Sequence, residues 1–213
     1  MENATIRTFG RTHGKRLSTR QKWLVNNMLP KLSPLTTMDI ANIILEIGFG
    51  SGEHLIELAA NNPDKIILGA EPFINGVASL LSRITTDKNE LLPQFSNIRI
   101  FADDVRKLFT AATNTIFNEI YILHPDPWPK ARHEKRRLLS SSFLKLLSSF
   151  IAKDGTIIIG TDHTDYYNWI LEQVKQTNLE IKSTDVPTIK TKYQTKNMFG
   201  SPKTMYLILG QKL

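Results

Sequence analysis

The chain has 213 residues, 27 Lys plus Arg against 20 Asp plus Glu, a net charge of +7, 41% apolar residues and no cysteine. This composition excludes a wholly disordered chain, a collagen-like chain and a coiled coil, and a chain of this length can bury a core as one domain. Without cysteine there are no disulfides, no thiolate metal ligands and no thiol catalysis, while the excess of base points to an anionic partner such as nucleic acid.

Residues 1–22 carry Arg7, Arg11, Lys15, Arg16, Arg20 and Lys22 against Glu2, with Gly10 and Gly14 as helix breakers. They read as a mobile basic arm, unlike a secretory signal. The arm is drawn to residue 35, and a single domain is expected over 36–213. No stretch reaches the ~18 apolar residues of a membrane span, so no membrane contact and a cytoplasmic location are expected.

From Ile43 the texture changes. Ile43-Ile44-Leu45-Glu46-Ile47-Gly48 is a short apolar run ending in glycine, the pattern of a buried parallel strand. Residues 53–62 read as a helix stopped by Pro63. A second strand covers 66–71 and a helix 74–84, with Val77, Leu80, Leu81 and Ile84 at helical spacing. A strand at 98–101 and a short helix at 104–112 follow. The strand 119–124 runs into Pro125-Asp126-Pro127-Trp128-Pro129, where helix and central strand are forbidden. A long helix is expected from about 133 to 151, a strand at 156–160, a helix at 164–177, and weaker strands around 179–182 and 205–209. Alternating strands and helices mean a mostly parallel sheet wrapped by helices, and the last two strands suggest an antiparallel hairpin. Ligands of such sheets sit beyond the carboxyl ends of the strands.

The loop Gly48-Phe49-Gly50-Ser51-Gly52 lets a ligand approach the backbone closely. Its spacing departs from the dinucleotide fingerprint, which needs glycine where Glu53 stands. Glu46 before the loop would repel a pyrophosphate and suits a cationic ligand, such as a methyl-donating sulfonium that carries an ammonium. Glu71, ending the second strand, is placed to accept hydrogen bonds from both ribose hydroxyls of an adenosine. Of Asp103 and Asp104, the first is chosen for the adenine amine, while either could cap a helix.

In the fourth loop, Asp126 is a single carboxylate between prolines. One fixed carboxylate suits the offset of a positive charge that develops on a substrate. Trp128 either stacks on a base or packs on the scaffold. Lys130, Arg132, Lys135, Arg136 and Arg137 read as a phosphate patch at the start of a helix. His13, His54, His124, His133 and His163 lack the spacing of a metal site.

The run Pro125-Asp126-Pro127-Trp128-Pro129-Lys130 with Arg132-His133-Glu134-Lys135-Arg136-Arg137 resembles the signature of the tRNA (guanine-N7-)-methyltransferases. The glycine loop, Glu71, Asp103, Thr161-Asp162 and Thr191-Lys192-Tyr193 stand in that family's order, so the resemblance spans about residues 40–210. It implies an α/β, Rossmann-like class I methyltransferase fold: a mostly parallel seven-stranded sheet with an antiparallel edge strand and helices on both faces. It implies methyl transfer from S-adenosylmethionine to N7 of the variable-loop guanine, position 46 of tRNA. Asp126 would be catalytic, and Glu46, Gly48, Gly50, Glu71, Asp103 and Asp126 would hold the cofactor. Lys130, Asp162, Thr191, Lys192, Tyr193 and Gln194 would hold the substrate, without a metal, in a monomer or homodimer. Two positions depart from the family pattern. Gln194 stands where Glu is usual, which keeps an acceptor and loses the charge. His124 stands where Phe is usual. Other readings are an exocyclic-amine methyltransferase, whose loop would need a second proline before the aromatic, a nicotinamide oxidoreductase, and an inactive RNA-binding scaffold.

Overall fold

The structure, a computed structural model, describes residues 8–10, 12–34, 42–111, 115–185 and 204–212. In chain order the elements are α1 (Thr19–Asn27), α2 (Leu29–Leu32), β1 (Ile43–Ile47), α3 (Glu53–Asn61), β2 (Ile66–Ala70), α4 (Ile74–Arg83), β3 (Ile98–Phe101), α5 (Val105–Ala111), β4 (Phe117–Leu123), α6 (Ser141–Ser148), β5 (Ile151–Thr161), α7 (Thr164–Val174), β6 (Leu179–Ser183) and β7 (Met205–Gln211). Short 3-10 turns occupy Pro93–Phe95 and Ala131–Arg136. The strands form one seven-stranded sheet in the order β3-β2-β1-β4-β5-β7-β6. The pairs β2/β3, β1/β4 and β4/β5 are parallel, and β7 is antiparallel to both β5 and β6. The strand–helix alternation predicts this mostly parallel sheet flanked by helices, and the architecture is the Rossmann-like class I methyltransferase fold that the resemblance implies. All five residues of β1 are buried, as expected for a parallel strand covered on both faces.

Two compact units make up the chain: Met1–Ile40 with Gly48–Thr115, and Ala41–Ile47 with Ile116–Leu213. In the first, residues 19–32 of the stretch read as a basic arm form two helices. Ser18 begins α1 with a capping box: its hydroxyl accepts from the Gln21 N–H, and the Gln21 side chain accepts from the Ser18 N–H. Leu24, Met28 and Leu32 are buried, and α1 packs on α4. Arg20, one of the basic residues of the expected arm, donates to the Thr86 carbonyl (2.8 Å), the Thr85 hydroxyl (3.0 Å) and the Asn89 side chain (3.0 Å). It thus satisfies polar groups just beyond the last turn of α4. The expectation of a mobile arm through residue 22 gives way to packed structure from Ser18 onward, because Leu24 and Met28 need an apolar surface and α4 supplies it.

In the second unit, the long helix expected over 133–151 is two separate pieces. The turn Ala131–Arg136 ends at Arg137, whose φ −60° and ψ 130° are extended. Helix α6 begins afresh behind Ser140, whose hydroxyl accepts from the Phe143 N–H. The serines at 140–142 favour a cap over a helix interior. Strand β5 starts earlier than expected. Its pairing with β4 jumps from Phe117↔Ile151 to Glu119↔Thr156, a bulge closed by Gly155. A Cβ there would stand 2.8 Å from the Asn118 carbonyl.

Candidate active site

The first unit holds the glycine loop. Gly48, Gly50 and Gly52 have φ of 76°, 57° and 82°, the left-handed region that glycine enters without strain. No atom lies within 4 Å of where a Cβ would stand on Gly48 or Gly50, so open space lies beside the backbone. Glu71, 7% exposed, follows β2. The Gly50 N–H donates to its Oε2 and the Phe73 N–H to its Oε1, each at 2.8 Å. Its carboxylate therefore holds the glycine loop. Gly76, a site residue missed in the sequence, sits inside α4. A Cβ there would fall 2.2 Å from the Gly50 carbonyl, so only glycine lets this helix approach the loop. A glycine in a helix interior is the signal that could have found it.

The N-terminal segment is laced across the loops that follow β2 and β3. The Ile74 N–H donates to the Thr12 carbonyl (3.1 Å), and the Gly14 N–H to the Asn75 side chain (2.8 Å). Asn75 in turn donates to the Lys15 carbonyl (2.6 Å). The Thr8 hydroxyl donates to Asp104 (2.8 Å). Asp103 and Asp104 have different tasks. Asp104 is buried and takes Arg106 Nε at 2.8 Å and Nη2 at 2.6 Å. Burial alone would raise its carboxyl, but the bonds from Arg106 and Thr8 carry it below the usual carboxylate range. Asp103 is half-exposed, caps the Asp104 N–H at 2.7 Å and meets Lys107 at 2.8 Å.

The second unit holds the remaining candidates that are described. Glu46 is 3% exposed on β1, paired in register with Tyr121 of β4. The Tyr121 hydroxyl donates to Glu119 at 2.6 Å. Burial, then Glu119 and Glu46, push this phenol far above its usual range. After β4, His124 turns the chain with φ 52°, and its N–H donates to the Gly160 carbonyl at 2.7 Å. Its side chain is 6% exposed, with Nδ1 3.9 Å from the exposed Asp162. Burial holds this imidazole below its ordinary value, against the pull of Asp162. The cap of α7 is His163, whose Nδ1 accepts from the Tyr166 N–H, so Asp162 is not spent on that helix.

Asp126 is exposed on the loop between Pro125 and Pro127. Trp128 has φ 44°, meets His133 edge-on at 5.7 Å and lies under the Arg136 guanidinium at 5.0 Å. Lys130 precedes the 3-10 turn and is exposed, as are Arg132 and Lys135. Arg137 is turned inward. Its Nε donates to the Pro127 carbonyl at 2.9 Å, and its guanidinium covers the rings of Trp169 (4.9 Å) and Tyr166 (5.5 Å). The patch read as uniform is thus divided: Arg132 and Lys135 face solvent, while Arg136 and Arg137 rest on aromatic faces. Thr191, Lys192, Tyr193 and Gln194 lie outside the described residues. Among the described residues, no group of three or more His, Asp or Glu side chains is placed to hold a metal, and no helix is long and apolar enough to cross a membrane. A cleft of about 420 Å³ opens at the β4/β5 bulge, on the amino-terminal side of β4 and so at the wrong end of the strand for the expected chemistry.

A protein-family model described as "Putative methyltransferase" matches residues 41–201. The chain is 33% identical over 191 residues to the tRNA (guanine-N(7)-)-methyltransferase of Neorickettsia sennetsu, covering 90% of this chain and 85% of that one. It is 35% identical over 177 residues to the protein of the same name from Caulobacter vibrioides, covering 79% and 76%. Among solved structures, an antibiotic-related methyltransferase matches with a TM-score of 0.60 at 15% identity, covering 93% of this chain and 97% of that one. A 16S rRNA methyltransferase matches with a TM-score of 0.58 at 12% identity, covering 95% and 99%. These two likenesses are of fold.

Proposed function

Because the chain belongs to the methyltransferase family matched over residues 41–201, we propose that it transfers a methyl group from S-adenosylmethionine to N7 of guanine in tRNA, at the variable-loop position 46. The names of its curated relatives, matched over most of the chain, support this reading. The observation that carries it is Asp126: one exposed carboxylate, set between two prolines, on the loop directly after a parallel strand.

The residues present fit the cofactor. The space beside Gly48 and Gly50 admits a ligand against the backbone, and the buried Glu71 carboxylate suits a pair of ribose hydroxyls. Glu46 would take the ammonium of the amino-acid end, and Asp103 the adenine amine. Bound S-adenosylmethionine supplies an electrophilic methyl carbon on a sulfonium.

The protein's task is then positioning and charge. Guanine N7 has its own lone pair, so no side chain need remove a proton. Asp126 accepts from guanine N1–H and the exocyclic amine, and its charge offsets the positive charge that develops on the ring. Lys130, Asp162 and Thr191–Gln194 hold the nucleoside, and Arg132 and Lys135 meet phosphates. His133 needs no acid or base role. The reading is tested by methyl transfer from labelled S-adenosylmethionine to unmodified tRNA, followed by nucleoside analysis. Label is expected in 7-methylguanosine, and Asp126→Asn should lower kcat by about 10²–10³-fold with little change in cofactor affinity. Equal loss of turnover and cofactor affinity would assign Asp126 to holding the cofactor. Label in another nucleoside would overturn the proposed target.

A further inference from the structure

Arg137 stands in a run of cations, yet its contacts are those of a clamp. One side chain ties the loop after β4 to α7. Its Nε binds the carbonyl of Pro127, the residue after Asp126. Its guanidinium lies over Trp169 and the fully buried Tyr166, both on α7. Trp169 is held in turn, its indole N–H donating to Glu134 of the 3-10 turn at 2.8 Å.

What the clamp holds is a strained loop. His124 and Trp128, on either side of Pro125-Asp126-Pro127, both have positive φ, which a large side chain adopts at a cost. Such a conformation persists only where surrounding contacts enforce it. The Arg137–Pro127 bond fixes the Pro127–Trp128 peptide, one residue beyond Asp126, and so restrains the short loop that carries this carboxylate.

We propose that Arg137 is a positioning residue for Asp126 and not a phosphate contact. The inference rests on the catalytic role proposed for Asp126. A cation already spread over two aromatic faces and bonded to a carbonyl is poorly disposed to neutralise a phosphate and so displace a counterion from the RNA. A misdirected catalytic group, in contrast, costs turnover steeply.

The test compares Arg137→Ala, Arg137→Lys, Trp169→Phe and the double variant Arg137→Ala/Trp169→Phe with the wild type. It reads kcat, the tRNA Kd and the slope of log Kd against log salt. Arg137→Ala is expected to lower kcat about 10- to 100-fold while the Kd and its salt slope stay at wild-type values. Arg137→Lys, which keeps the charge without the planar fork, should not restore kcat. Trp169→Phe loses the tie to Glu134, so its effect should be less than additive with Arg137→Ala. A salt slope reduced by about 0.7–0.9 in Arg137→Ala and recovered in Arg137→Lys would overturn the proposal in favour of a phosphate contact. If Arg137→Ala does not fold, Arg137→Lys and Trp169→Phe carry the same comparison. A wild-type protein that makes no 7-methylguanosine sinks the proposed function, and this inference with it. Normal wild-type product with the phosphate signature at Arg137 sinks the inference alone.

Discussion

Glu71 shows why a single carboxylate is hard to replace. Both of its oxygens accept backbone N–H groups, from Gly50 and Phe73. Glu71→Gln would turn an amide NH₂ toward one of these donors, leaving two donors face to face in a buried place. That costs on the order of 1–3 kcal/mol, about 2–12 °C in melting temperature for a chain of this size. A melt of the ligand-free variant checks it, and an unchanged melting temperature would show that the carboxylate does not hold the loop. Asp103 and Asp104 make the same point at neighbouring positions. Both follow β3, but only Asp104 is locked by Arg106 and Thr8. The half-exposed Asp103 keeps the accessibility that a ligand contact requires.

At the scale of elements, α1 is the part whose role changed most. It carries bases and no acid, a composition that resembles a solvated arm. Leu24 and the residue that caps the helix, Met28, are one turn apart and both buried, and Arg20 reaches past the end of α4. Charge-assisted bonds of this kind contribute about 1.5–3 kcal/mol each, so Arg20→Ala should destabilise the unit by at least that order. Hydrogen exchange checks the location: amides in the last turn of α4 and at Thr85–Asn89 should exchange faster, while those of β3 stay slow. Uniform protection across both would mean that Arg20 is dispensable for α4. The split of the expected long helix has the same origin, because Arg137 is drawn to Pro127 and Trp169 and so leaves the helical path.

For the whole molecule, the charge is distributed unevenly. Residues 3–38 hold Arg7, Arg11, Lys15, Arg16, Arg20, Lys22 and Lys31 with no Asp or Glu, which equals the entire net charge of +7. The rest of the chain has equal numbers of the two signs. On the proposed function, the long-range attraction for tRNA therefore resides in this N-terminal stretch, where Lys15, Arg16 and Lys22 are exposed. Replacing these three by Ala should lower the salt slope of tRNA binding by about 2–3 and leave the melting temperature near the wild-type value. A salt titration in which the slope does not move would place the phosphate contacts elsewhere. The apolar runs of β1, β2, β3 and β4, the glycine loop and the Pro-Asp-Pro-Trp turn were legible in the sequence because each depends on residues adjacent in the chain: burial on both faces, φ above zero, or a missing N–H. The family signature rests on equally local runs. The tertiary structure alone decided which carboxylates hold the protein together and which remain accessible, which cations are engaged, and where α1 packs. Those outcomes depend on pairs such as Thr8 with Asp104, 96 residues apart, and Arg137 with Trp169. No spacing in the sequence records such pairs, since they form only when folding brings distant donors, acceptors and ring faces within about 3–5 Å of one another.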